Sequence, residues 1–148
     1  LGHQVGAQRL EAGPGSPDYG VLTLVVRQRY LPAASFDIPA SCFFPTPEVT
    51  STCLTLHRRT QETLSPLERR TFVRLVRTAF AQRRKMMFKL LRRVWDEPAL
   101  HSAFHSSSIS ETCRAEALAL AGFEDLARRL SHLDTNAEAN GQEANNHN

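Results

Sequence analysis

The chain has 148 residues, 41% of them hydrophobic and 22% charged, and a net charge of only +3. That length allows one ordinary domain, or the end of one domain and a small second one, and the composition excludes wholesale disorder. No apolar run approaches the roughly 20 residues of a bilayer span and no basic-then-apolar leader follows Leu1, so the expectation is a cytoplasmic protein without a membrane partner.

Residues 1–13 are weakly patterned. Gly13-Pro14-Gly15-Ser16-Pro17-Asp18 reads as a turn, with Ser16 suited to cap a helix and Pro17 to open it. The β-branched residues after Val21 favour a strand, yet Leu22, Val25, Val26 and Tyr30 fall at helical spacing, and the cap tips the reading to helix. A short strand over 34–39 follows, then a path forced extended and turn-rich by Pro39, Pro45 and Pro47. Residues 50–57 form the strongest strand pattern. The two strands should pair antiparallel, as the last edge of a larger sheet that they are too few to close.

After Arg59 the period changes. Ser65-Pro66-Leu67-Glu68 is a helix start, with a serine cap, proline at the first position and glutamate at the third. Phe72, Leu75, Val76, Ala79 and Phe80 then mark one apolar face, interrupted by Gln82-Arg83-Arg84-Lys85. Met86, Met87, Leu90, Leu91 and Val94 resume a helical stripe, which Asp96-Glu97-Pro98 is expected to stop. Residues 101–110 read as a serine-rich connector, and 111–133 as a last helix with Gly122 as its break or cap. From Asp134 no large apolar residue remains, so disorder is expected over 134–148. The division is therefore a β-containing part over 1–60, a small all-helical part over 61–133, and the tail.

Cys42, Cys53 and Cys113 are widely spaced and odd in number, which fits free thiols in a reducing compartment. His101 and His105 can share a helical face, but no third ligand accompanies them and no metal is expected. Charge is informative. Ten of the 18 lysines and arginines lie between Arg69 and Arg93, where there is no acidic residue. A solvated helix face is the ordinary meaning of such a run, and the interior the ordinary place for a phenylalanine. Here Cys42-Phe43-Phe44-Pro45-Thr46-Pro47-Glu48-Val49 lies just upstream, and cations near a ring that can stack on a base outline an RNA-handling protein. By strand alternation Phe43 and Phe44 should point opposite ways, one into a core and one outward.

Phe43 to Ser51 resembles the F-x-P-x-P-x-V-x-S motif of the ribosomal RNA adenine N6,N6-dimethyltransferases. Four more segments are similar to that family in the same order: PGSPDYG over 14–20, FDIP over 36–39, FVRLVRTAFAQRRK over 72–85, and Arg114-Ala115-Glu116 with Leu118 and Phe123. The resemblance implies an α/β fold: the last part of a Rossmann-like methyltransferase sheet, then a small all-α domain. It implies S-adenosylmethionine as methyl donor and two adjacent adenines of small-subunit rRNA as acceptors. Phe43 becomes the platform for an extruded adenine, where stacking is worth roughly 1–3 kcal/mol. Gln82, Arg83, Arg84, Lys85, Lys89, Arg92 and Arg93 become the RNA contacts, arginine forks on phosphate oxygens and lysine as point charge. Arg83 has an alternative part, bracing the junction by pairing with a carboxylate.

The family's glycine-rich turn, its acidic residue after the second strand and its N-L-P-Y motif have no counterpart here, so no residue is assigned to the cofactor. The chain is then expected to be the C-terminal, RNA-side portion of a monomeric enzyme, binding RNA without methylating it alone. A non-catalytic RNA-binding module derived from the same family is the alternative. A helix-turn-helix DNA binder over 66–94 ranks below both, because it leaves the Phe-Pro segment unexplained.

Overall fold

A computed structural model describes the backbone over residues 4–143 and side-chain surroundings over 6–134. The chain divides into two compact units that meet between Glu62 and Thr63.

The first unit opens with α1 (Gln4–Glu11), where the weak pattern gave no expectation of a helix. Ala7 and Leu10 are buried on it, and its C-terminal end is tied to α2 (Val21–Arg27). The Thr23 hydroxyl donates to the Arg9 carbonyl, and Arg27 Nη1 donates to the Ala12 carbonyl at 3.1 Å. α2 therefore starts four residues later than Pro17. Gly20 is its cap, and the Gly20 N–H donates to Thr23 Oγ1 at 3.2 Å. Ser16 instead closes a turn: its N–H donates to the Gly13 carbonyl at 3.1 Å, and Gly15 carries the positive φ of 87° that a type II turn places after Pro14. Tyr19 and Leu24 form the small core, and burial, opposed by the nearby Arg27 charge, pushes the Tyr19 phenol up to about 12.

β1 (Tyr30–Ile38) and β2 (Ser51–Arg58) pair antiparallel, from Tyr30 opposite Arg58 to Ile38 opposite Ser51. Tyr30 is thus a strand residue and not the end of a helix. Pro32 conceals this in the sequence, and the ladder accommodates it with an irregularity between Pro32 and Ala34. Thr52 Oγ1 donates to Asp37 Oδ1 at 2.8 Å across one face, while Leu31 and Phe36 on the other are exposed.

The second unit contains only helices among the described residues. α3 (Pro66–Ala79) begins as its sequence dictates: Glu68 N–H donates to Ser65 Oγ at 3.2 Å, and Ser65 N–H donates to Glu68 Oε1 at 2.9 Å. Phe72, Leu75, Val76 and Ala79 are buried. α4 (Met87–Leu91) buries Met87, Phe88, Leu90 and Leu91 within a single short helix.

Several expectations fail in this unit. The helical stripe does stop before Asp96, since α4 ends at Leu91, but Pro98 also opens a helix: it sits in the first turn of α5 (Glu97–Ser106), which occupies most of the supposed serine-rich connector. Leu100, Ala103 and Phe104 supply its buried face, and Phe104 meets Phe88 edge-on at 5.2 Å. Residues 111–119 are turns and a 3-10 stretch over Ala115–Ala117, so the last helix, α6 (Leu120–Glu143), starts later. Gly122 lies inside its first turns without breaking them, and a Cβ there would come within 2.5 Å of Leu118 Cδ1.

α6 also continues where disorder was expected from Asp134. Phe123, Leu126, Ala127 and Leu130 are buried, so the costly nucleus already exists and Ala, Gln and Glu can propagate it. Asp134 is itself an anchor, accepting from Thr71 Oγ1 at 2.7 Å and from Arg74 Nη1 at 3.0 Å. The last five residues of the supposed tail, 144–148, lie outside the described residues.

Candidate nucleic-acid interface

In the first unit the chain leaves β1 at Ile38 and rejoins the ladder at Ser51. Between them Ala40–Cys42 form a 3-10 turn, with the Phe43 N–H donating to the Ala40 carbonyl at 3.2 Å. Phe43 itself is extended, at φ −113° and ψ 149°. Its side chain is 40% exposed and that of Phe44 is 101% exposed. Neither is a core residue, so the expectation of one inside and one outside is corrected. Opposite directions put one side chain inside only where a strand lies over a core, and this segment lies in the loop beyond the last strand pair. Cys42 is exposed beside them.

In the second unit the basic residues surround the elbow between α3 and α4. Gln82, Arg83, Arg84 and Lys85 are all exposed there, in a turn where the Lys85 N–H donates to the Gln82 carbonyl at 3.1 Å. Lys89 is the outward residue of α4, and Arg92 and Arg93 are exposed directly after it. The apolar side chains of α4 hold this cationic surface in place from beneath. Its first N–H, on Met87, donates to the Cys113 carbonyl at 3.0 Å and ties the elbow to the segment before α6. Arg84, Lys85, Lys89, Arg92 and Arg93 have no carboxylate partner among the described residues. The structure thus gathers the seven predicted residues on one elbow and the aromatic pair on a separate loop.

Not every cation of the run is available. Arg74 pairs with Asp134 and lies 5.1 Å from the centre of the buried Trp95 ring, so it braces α3 against its neighbours. Nothing local could reveal that role, since Arg74 and Asp134 are 60 positions apart. The sequence reading also missed an open depression lined by Pro66, Arg69, Arg70 and Val73, on a face of α3 away from its buried stripe. The i, i+3, i+4, i+7 spacing of those residues was the available signal.

Among the described residues no group of three or more His, Cys, Asp or Glu is placed to hold a metal ion. His101 has structural partners instead. Its Nδ1 meets Glu111, its Nε2 lies 3.7 Å from Glu97, and its ring packs on Phe88 at 4.6 Å. Burial pushes the Cys113 thiol up, away from thiolate reactivity. No helix among the described residues is long and apolar enough to cross a membrane.

Solved structures share this fold. A dimethyladenosine transferase from Plasmodium falciparum superposes with a TM-score of 0.66 at 18% identity, over 89% of this chain and 56% of that one. The 23S rRNA methyltransferase ErmE gives 0.54 at 18% identity, over 79% and 49%. Sequence relatives are nearer. The ribosomal RNA small subunit methyltransferase A of Magnetococcus marinus is 38% identical over 82% of this chain and 43% of its own length. Its namesake in Moorella thermoacetica is 34% identical over 84% and 43%. The chain therefore spans less than half the length of these curated relatives. Residues 3–132 match the profile described as Ribosomal RNA adenine dimethylase. The chain belongs to the ribosomal RNA adenine dimethylase family.

Proposed function

We propose that the chain is the RNA-side portion of an S-adenosylmethionine-dependent enzyme that dimethylates adenines in small-subunit rRNA. In this reading residues 1–60 end a catalytic domain built on a Rossmann-like sheet, and residues 61–133 are a small helical RNA-binding domain. The intact protein works as a cytoplasmic monomer on the rRNA of the assembling small subunit.

The observation that carries the reading is the exposure of Phe43 on a proline-bounded loop, inside a family match spanning nearly the whole chain. A base must leave its stack before its amino group can react, and a flat ring holds it without consuming hydrogen bonds. Phe43, ordered by its neighbours before RNA arrives, does this at small entropic cost. The cations of the α3–α4 elbow hold the sugar-phosphate strand through Arg84, Lys85, Lys89, Arg92 and Arg93, with Gln82 and Arg83 beside them.

The methyl donor does not fit the residues present. The connection from β2 to α3, residues 59–65, contains no glycine to bring backbone close to a bound nucleoside, and β1 leads into a proline-rich loop. No catalytic step is assigned to this chain beyond holding the base and the strand. The second reading is a non-catalytic RNA-binding module derived from the same family.

Calorimetric titration tests the proposal. The 148 residues should bind a small-subunit rRNA hairpin and show no heat with S-adenosylmethionine. Tight binding of the methyl donor would contradict the assignment of roles, and absence of RNA binding would contradict both readings.

A further inference from the structure

Phe44 is the most exposed large apolar side chain described, at 101%, yet nothing in the reading above employs it. It is not held there by packing, since it contributes to no core. Pro45 follows it directly and Pro47 lies beyond, so the backbone carrying it has few alternatives.

Phe43 is extended, and in extended backbone successive side chains leave on opposite sides. The two rings therefore cannot sandwich one base. If Phe43 takes the reacting adenine, Phe44 faces a different nucleotide. Consecutive unpaired nucleotides are the form of RNA that proteins bind by splaying bases onto aromatic rings. The cations of the second unit give the chain affinity for such a strand without specifying where its bases go.

We infer that Phe44 is a second stacking platform, which takes the base next to the one on Phe43 in an unpaired stretch of RNA. The inference rests on the proposed role of Phe43, and the two can fail separately.

The test uses the 148-residue chain and an RNA hairpin with two adjacent loop adenines, one or the other replaced by 2-aminopurine. The unaltered chain should quench both probes. Phe43→Ala should restore fluorescence at one position only, and Phe44→Ala at the other only, with affinity about 10-fold weaker. Phe44→Trp should retain quenching, and Phe44→Leu should lose it, because a side chain of similar bulk has no flat face. All four substitutions leave the core untouched, so folding is preserved. Quenching at both positions in Phe44→Ala, or wild-type behaviour of Phe44→Leu, overturns the inference and assigns the ring to an apolar partner such as another protein surface. Quenching at one position alone in the unaltered chain overturns it while leaving Phe43 in its role. RNA binding with no quenching at either position overturns the role of Phe43 as well.

Discussion

Replacing Arg84 and Lys85 together by alanine should change how RNA binding responds to salt more than it changes anything about the fold. Both are exposed, in a turn with no buried neighbour to lose, and neither has a carboxylate partner among the described residues. With Lys89, Arg92 and Arg93 they make five cations available to phosphate. Each phosphate neutralised contributes about 0.7 to 0.9 to the slope of log affinity against log salt, so five give a slope of about −3.5 to −4.5. A fourfold rise in salt, from about 50 to 200 mM, should then weaken the parent about 100- to 500-fold. The double variant keeps three contacts and a slope of about −2.1 to −2.7, so the same rise should weaken it only about 20- to 40-fold. Fluorescence anisotropy of a labelled rRNA hairpin, titrated at four or five salt concentrations, reads both slopes directly. A variant with the parent's slope would show that Arg84 and Lys85 touch no phosphate, and the elbow would lose its assignment as the RNA contact.

Other consequences concern the scaffold. Ser65→Ala removes the reciprocal cap of α3 and should lower stability by about 1 kcal/mol in urea melts. Phe104→Ala empties a wholly buried position against Phe88 and should cost about 3–5 kcal/mol by the same assay. Asp134→Ala leaves Thr71 and Arg74 without their acceptor and should cost about 1–3 kcal/mol, with loss of protection of nearby α6 amides in hydrogen exchange. The hydrogen bond from Ser107, then the guanidinium groups of Arg129 and Arg128, hold the Asp125 carboxyl below its usual range. A depressed acid contributes stability above its unfolded value of about 3.9 and loses it as pH falls through the folded one. The difference in melting temperature between the parent and Asp125→Asn should therefore be present at neutral pH, begin to shrink near the unfolded value of about 3.9, and vanish only once pH has fallen below the lower folded one.

What could be read from the sequence was what is local. Ser65, Pro66 and Glu68 specify a helix start within four residues, and the structure forms the cap they encode. The β1–β2 pairing was legible because alternation over 50–57 is strong and the linking prolines forbid a helix. Pro98 misled because proline both follows a finished helix and opens a new one; only the packing of Leu100 and Phe104 decides which. Asp134 misled because composition cannot see a partner sixty positions away. Phe43 and Phe44 were assigned by the rule for strands although they lie in a loop, which is why one was expected inside. The cationic elbow was visible as a charge run, but its subdivision was not: Arg74 is spent on Asp134 and Trp95, while Arg84 and Lys85 stay exposed.

Phe43→Ala in the intact enzyme, followed by transfer of labelled methyl groups to small-subunit rRNA, tests the role of the aromatic platform directly. The account predicts that kcat falls by about two orders of magnitude while the Kd for rRNA, set mostly by the elbow cations, weakens only about 10-fold through the loss of one stacked base. Methylation at the parent's rate would show that the adenine does not lie on this ring.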